Sequence, residues 1–253
     1  MFTSKVPVES VEKIQDNIFI LRAFSPEIAR AIKPGQFCNI KVSETDFPLL
    51  RRPFSICDVD GDYISFMFNK HGEGTRILSE KKKDDIIDIL APLGNGFTYT
   101  DDYDIAVMIG GGLGAAPFPY LTREIKNKEI VTLIGGRNKK DVTDWEMKNV
   151  HFSTDDGSLG FKGNVVQLLE SKMSEFNGSE IKIFSCGPTP MLKALQKFSI
   201  DNNLKCEIST ECAMACGFGI CQGCPIDSKE QGKDKYYLVC KDGPVFDAEA
   251  IEL

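Results

Sequence analysis

Ile105-Ala106-Val107-Met108-Ile109-Gly110-Gly111-Gly112-Leu113-Gly114-Ala115-Ala116-Pro117 is the stretch that decides the fold. Five apolar residues in a row read as a buried parallel strand. They run into a glycine turn and then a helical stretch over about 117–126. A turn of that kind leaves no side chain to obstruct a pyrophosphate and sets a helix dipole behind it. Gly110, Gly111, Gly112, Gly114, Ala115 and Pro117 are therefore candidate dinucleotide contacts.

Downstream, Ile130–Ile134 reads as another apolar strand and Ile181–Ser185 as a third strand, with Val165–Lys172 and Met191–Asn202 as helices. Strand–helix alternation predicts a doubly wound parallel sheet. The last of these strands ends in Cys186-Gly187-Pro188-Thr189-Pro190-Met191. That places Cys186, Gly187 and Pro188 at the carboxyl edge, where such sheets bind ligands. The plainer reading is a tight turn with a buried cysteine. Asp155-Asp156-Gly157-Ser158-Leu159-Gly160 is a polar turn that reads equally as a plain loop or as a contact for ribose or nicotinamide.

Upstream the pattern differs. Lys5–Lys13, Asn17–Phe24, Gln36–Val42, Phe54–Asp58, Tyr63–Asn69 and Ile86–Ala91 alternate apolar and polar residues. Pro34-Gly35, Asp60-Gly61 and Gly94-Asn95-Gly96 punctuate them. Short strands at this spacing predict a small antiparallel β-barrel. Within it, Arg51-Arg52-Pro53-Phe54-Ser55 offers a guanidinium for a phosphate, an aromatic face for a planar ring and a hydroxyl for a ring nitrogen. His71-Gly72-Glu73-Gly74-Thr75 then opens a helical stretch whose free N–H groups suit a pyrophosphate. The two pieces together point to a flavin; a strand with no ligand is the alternative.

The third region is set by cysteine. Five of nine cysteines fall within 206–224, and Cys216-x4-Cys221-x2-Cys224 with a distant Cys240 has the plant-type [2Fe–2S] spacing. Gly217, Gly219 and Gly223 would turn backbone N–H groups toward the sulfurs. A four-cysteine zinc staple and a reactive thiol group stay open, although zinc ribbons usually pair C-x2–4-C at both ends. Cys206 and Cys212 lie outside the spacing and read as structural thiols, with Cys212 left open as a ligand competing with Cys216. The expected units are residues 1–101, 102–205 and 206–253.

At 253 residues, with 42% apolar and 26% charged, the chain excludes a collagen, a coiled coil and a disordered tail. The last 48 residues carry 4 basic against 9 acidic side chains, most of the net charge of −7, so no basic footprint for nucleic acid exists. No apolar run reaches the ~18 residues of a membrane span. The opening MFTSKVPVESVEK lacks the apolar core of a signal peptide. The expectation is a cytoplasmic protein without a membrane segment. The only histidines are His71 and His151, and no acid–base constellation for small-molecule chemistry stands out.

Taken in order, the motifs resemble the ferredoxin–NADP reductase superfamily and, within it, the electron-transfer subunits of the NAD-linked dihydroorotate dehydrogenases. The resemblance spans nearly the whole chain and is most specific in Met214–Cys224 and Val239–Phe246. It implies an α+β multidomain chain: an N-terminal FAD-binding β-barrel, a doubly wound nucleotide-binding unit and a small C-terminal [2Fe–2S] unit. Arg52, Pro53, Phe54, Ser55, Asn69, Lys70, His71, Gly74 and Thr75 would then hold FAD. The Gly110–Pro117 turn, Asp156 and Cys186-Gly187-Pro188 would take NAD, and Cys216, Cys221, Cys224 and Cys240 would ligate the cluster. The superfamily often has Tyr where Phe54 stands, so here the ring stacks without a hydroxyl. The implied role is a relay from the FMN of a separate catalytic subunit through the cluster and FAD to NAD+, in pyrimidine biosynthesis, as a heterotetramer with two copies of each subunit. The alternatives are the small subunit of an NADH-dependent ferredoxin:NADP oxidoreductase or a sulfide dehydrogenase and, from another class, a zinc-stapled binding module.

Overall fold

The computed structural model describes residues 1–45, 47–229 and 235–253. Its first unit comprises β1 (Phe2–Gln15), β2 (Ile18–Phe24), α1 (Pro26–Ala31), β3 (Phe37–Lys41), β4 (Arg52–Ser55), β5 (Asp58–Asp60), β6 (Tyr63–Asn69), α2 (Glu73–Ser79) and β7 (Ile86–Leu93). The strands form one antiparallel sheet in the order β4-β3-β7-β1-β2-β6-β5. Alternation does the work in β7, where Ile87, Ile89, Ala91 and Leu93 point inward and Ile86 is exposed. β1 pairs with β7 over its first half and with β2 over its second, with an irregularity between Val8 and Ser10 that lets the strand bend. The sheet curls until Phe54 on β4 meets Phe66 and Phe68 on β6, with ring centroids 6.3 Å and 6.0 Å apart. Side chains, not a hydrogen-bonded ladder, join these two strands.

The second unit runs β8 (Ile105–Gly111), α3 (Phe118–Glu124), β9 (Glu129–Gly136), β10 (Val150–Thr154), β11 (Phe161–Lys162), α4 (Val165–Lys172), β12 (Ile181–Cys186), α5 (Thr189–Asp201) and β13 (Lys205–Ser209). Its order is β11-β10-β9-β8-β12-β13, parallel throughout. The apolar run of β8 serves both faces. Ile105, Val107 and Ile109 pack with Leu168 and Leu169 of α4 and Leu192 and Leu195 of α5. Ala106 and Met108 pack with Phe118 and Leu121 of α3. The sheet is thus doubly wound, and its order reverses between β8 and β12, the place where such sheets leave a crevice.

The C-terminal segment adds β14 (Pro225–Ser228), β15 (Tyr236–Leu238), β16 (Val245–Asp247) and β17 (Ile251–Glu252). β14, β15 and β17 form a three-stranded sheet, whereas β16 extends the parallel sheet by pairing antiparallel with β13. β13 itself spans positions 205 and 206, where the composition changes. α3 fastens the two large units together. The Tyr120 hydroxyl donates to the Ile32 carbonyl at 3.1 Å, and Arg123 pairs with the buried Asp58 at 2.7 Å.

Candidate functional site

Two cavities open at the seam of these units. The larger, about 930 Å³, is walled by the Gly111–Gly114 turn, Gly187, Pro188, Met191, Asp155 and Arg137, among others. The smaller, about 220 Å³, is walled by Phe37, Pro53, Phe54, Ser55, Thr75, Cys212, Met214 and Pro244, among others. Asn69, Leu113 and Glu211 line both, so the cavities meet at these side chains.

In the larger cavity the glycines are needed chiefly by a neighbouring turn. A Cβ on Gly114 would stand 2.2 Å from the Cys186 carbonyl, and one on Gly111 would stand 2.6 Å from Pro188. The two turns at the carboxyl ends of β8 and β12 therefore press together backbone to backbone. Gly112, at φ +54, faces freer space and adopts a conformation that suits glycine. Gly110 is still in β8, and its Cβ position faces Ile134 and Phe118. Ala115 is buried in the core under the turn, and Pro117 precedes the short helix α3. Cys186 is also a core side chain, its thiol pushed up by burial, while Gly187 and Pro188 wall the cavity. The polar turn contributes Asp155 to the wall. Asp156 instead turns back and accepts the Ser158 N–H at 2.8 Å, and its carboxyl is lowered first by the Ser158 hydroxyl and then by that N–H. Arg137 is exposed at the rim and pairs with Asp141 at 3.4 Å.

Next in the chain to Pro53 of the smaller cavity's wall, though not itself lining it, Arg52 lies across the first turn of α2. A Cβ on Gly74 would come within 2.9 Å of its Nε, so glycine there gives the guanidinium its resting place. The Arg52 guanidinium also donates to the Leu50 carbonyl. Thr75 accepts the His71 N–H at 2.7 Å and holds the turn before α2. Lys70 and His71 are exposed on that turn. Asn69 Oδ1 is buried without a hydrogen-bond partner among the described residues. A buried acceptor of this kind at a cavity wall awaits a donor from a bound molecule. An orphaned acceptor and an aromatic wall, with an arginine beside the adjoining α2 turn, fit a planar, hydrogen-bonding ring joined to a phosphate, as in FAD.

Behind the smaller cavity lie the four thiols of the spaced motif. Cys224 and Cys240 are buried with Sγ atoms 3.1 Å apart. Cys216 and Cys221 form the second pair, joined through the Cys221 backbone N–H. Among the described residues no three His, Cys, Asp or Glu side chains draw together as one metal ion requires. Two pairs of sulfurs suit two metal atoms taking two thiolates each, the donor set of a [2Fe–2S] cluster. Backbone N–H groups already aim at sulfur. Gly219 donates to Cys240 Sγ at 3.1 Å, Cys221 to Cys216 Sγ at 3.5 Å, and Cys240 to Cys224 Sγ at 3.5 Å. Burial pushes the Cys216 thiol up, but the N–H groups of Cys221, Phe218 and Ile220 outweigh it and bring it down to about 6. Burial, helped by Cys224, pushes Cys240 up to about 12 and Cys212 up to about 11.

Two residues of this region escape a reading by motif. Asn39, an amide between Cys38 and Ile40 in β3, donates to the Cys216 carbonyl at 3.4 Å. A Cβ on Gly217 would collide with it, so the cysteine loop rests directly on the barrel. Glu211 stands two residues past β13 at the junction of the cavities, and burial raises its carboxyl. Its only trace in the sequence is an acid between Thr210 and Cys212, just past a buried strand end.

The chain is similar in sequence and fold to known proteins. The profile of the iron-sulfur cluster binding domain of dihydroorotate dehydrogenase B matches residues 211–252. The dihydroorotate dehydrogenase B (NAD(+)) electron transfer subunit of Caldanaerobacter subterraneus is 38% identical over 220 residues, covering 86% of each chain. That of Bacillus velezensis is 36% identical over 264 residues, covering both chains in full. Among solved structures, a chain of the NADH-dependent reduced ferredoxin-NADP oxidoreductase superposes with a TM-score of 0.85 at 25% identity, over 98% of this chain and 89% of that one. The ferredoxin NADP+ reductase of Neisseria gonorrhoeae shares the fold, with a TM-score of 0.63 at 16% identity over 79% and 91%. With such identity over its full length, the chain belongs to the family of dihydroorotate dehydrogenase B (NAD(+)) electron transfer subunits.

Proposed function

We propose that this chain is the electron-transfer subunit of an NAD-linked dihydroorotate dehydrogenase and serves as its relay to NAD+. One observation carries the reading. Asn69, Leu113 and Glu211 are shared by the dinucleotide cavity and the flavin-sized cavity, and Cys212 walls the latter while packing against the cluster ligands. Three binding places thus follow one another without a gap. When bound, FAD exchanges two electrons with nicotinamide and single electrons with an iron–sulfur cluster, which is why it takes the middle place.

The chain's own residues bind, orient and exclude water. Residues 1–101 hold FAD: Arg52 pairs with its phosphate across Gly74, Phe54 and Ser55 present ring face and hydroxyl, and Asn69 offers its free acceptor. Residues 102–205 take NAD between the Gly111–Gly114 turn and Gly187-Pro188, with Asp155 on the ribose side. Residues 206–253 carry the cluster on Cys216, Cys221, Cys224 and Cys240. Ile220 and Cys221 stand exposed at the tip of that loop. This is the side a partner would cover, and we assign it to an FMN-containing catalytic subunit that oxidises dihydroorotate, two copies of each chain forming the assembly.

The test uses the native complex, purified anaerobically with whatever accompanies this chain. Dihydroorotate should bleach the flavin and cluster absorbance, and NAD+ should restore it. Bleaching by NADH alone, with dihydroorotate inert, assigns the chain to another flavin and iron–sulfur reductase. A colourless, iron-free protein overturns the relay altogether.

A further inference from the structure

Residues 94–104 connect β7 of the barrel to β8 of the parallel sheet, and one peptide of this connector is gripped by an ion pair. Lys182 in β12 is only 4% exposed. Its ammonium group donates to the Thr98 carbonyl at 2.6 Å, to Asp101 Oδ2 at 2.6 Å and to Glu207 Oε1 at 3.1 Å. All three of its N–H donors are therefore used. The second oxygen of Glu207 accepts the Thr98 N–H at 2.9 Å. Thr98 is thus held from both sides, its carbonyl by the cation and its N–H by the anion. Nearby, the connector touches the other two units. The Phe97 N–H donates to the Pro34 carbonyl of the barrel at 2.9 Å, and Asn95 Nδ2 donates to the Asp242 carbonyl of the cysteine segment at 2.8 Å. From the ion pair, β12 leads to the Gly187-Pro188 wall of the larger cavity, and β13 leads to Glu211, where the cavities meet. Lys182 and Glu207 themselves stand outside both cavity walls.

We propose that Lys182 is a positioning residue: with Glu207 it clamps Thr98 and so fixes how the barrel presents flavin to nicotinamide. The inference rests on the relay reading above, with FAD in the barrel and NAD on the parallel sheet. A buried ion pair adds little stability, because desolvation offsets its attraction and an apolar replacement is often neutral. A fully satisfied polar network does specify one geometry. Three donors and their acceptors leave the connector a single resting place, and the connector is the covalent path between the two units.

The experiment uses the full complex with Lys182→Met and Glu207→Gln together. This change removes both charges of the pair at once and keeps an acceptor for the Thr98 N–H. Iron and FAD are quantified first. Flavin bleaching is then followed by stopped flow across a range of NADH concentrations, together with the long-wavelength absorbance of nicotinamide stacked on flavin. With iron and FAD contents unchanged, the half-saturating NADH concentration should stay at the wild-type value, because the cavity walls are intact. The limiting rate should fall about tenfold, the scale of a sub-ångström misplacement, and the stacking absorbance should weaken. Asp101→Asn, which loosens the connector but leaves Lys182 and Glu207 paired, should change both in the same direction and by less. A double variant with the wild-type limiting rate and stacking absorbance overturns the proposal. So does loss of FAD or iron from it, which makes the pair plain structural support. If the double variant fails to accumulate, Asp101→Asn is read in the same way. Wild-type complex whose flavin NADH does not bleach would overturn the relay reading instead, so the two failures are distinct.

Discussion

The barrel and the cysteine segment meet at Asn39 and Gly217, and they are held together by different physics. The barrel has a core of its own, with Ile40, Ile56 and Ile64 fully buried. The segment from Cys206 onward has a small core that borrows Phe37 and Leu93 from the barrel and counts two of the proposed ligands, Cys224 and Cys240, among its buried members. Apolar area stabilises the first. The second lacks enough of it, and a metal staple supplies what is missing. A residue's importance in the barrel therefore follows its buried volume, while in the segment it follows its chemistry.

The sharpest way to break this comparison is Cys240→Ser. Serine is nearly isosteric, so a segment held by packing would tolerate it. A segment held by the cluster should lose its iron and charge-transfer absorbance and become open to protease, with FAD retained by the barrel. Iron analysis and limited proteolysis of the purified complex give the answer, and retention of a full complement of iron would remove Cys240 from the ligand set. In the barrel, Ile40→Ala is the counterpart. Truncating a fully buried isoleucine should cost about 2–5 kcal/mol in denaturant unfolding, while the iron content of the folded protein stays near wild type.

The same contrast explains what could be read in the sequence. Period-two alternation made the barrel strands visible, an unbroken apolar run did so for β8, and largely apolar runs interrupted by Thr132 in β9 and by Lys182 and Ser185 in β12 did so for those strands, because each pattern records which faces are buried. β10 and β13 escaped because Val150-His151-Phe152-Ser153-Thr154 and Lys205-Cys206-Glu207-Ile208-Ser209 carry polar residues that only tertiary partners accommodate. Glu207, for one, is held by the buried Lys182 at 3.1 Å. The cysteine set was legible because ligand chemistry constrains spacing. Asn39 and Glu211 were not, since a single amide or acid has no period, and each takes its meaning from a segment far away in the chain.

Asn39→Ala sharpens the comparison at the contact itself. The amide spans barrel and cysteine loop with one bond of 3.4 Å to the Cys216 carbonyl. Its loss should cost about 1 kcal/mol, the usual net value of such a bond. The effect should be greater in the cluster's release rate during chelation than in the barrel's unfolding midpoint. Equal effects on both would show that the two regions unfold as one body.

The smallest effect belongs to Glu211, which comes from the cysteine segment yet walls cavities built by the other two units. Burial raises its carboxyl above the ordinary 4.5. Between that value and the raised one the folded state binds more protons than the unfolded state, so this group's contribution to stability falls as pH climbs through the interval and then levels off. Glu211→Gln has no proton to lose, and its stability should stay flat where the wild type declines. Urea unfolding of both proteins across mildly acidic to neutral pH measures the difference, with Glu211→Asp expected to keep part of the slope. Identical profiles would mean that the carboxyl is as well hydrated as one on the open surface. The seam would then not be the dry junction that passing electrons between nicotinamide and flavin requires.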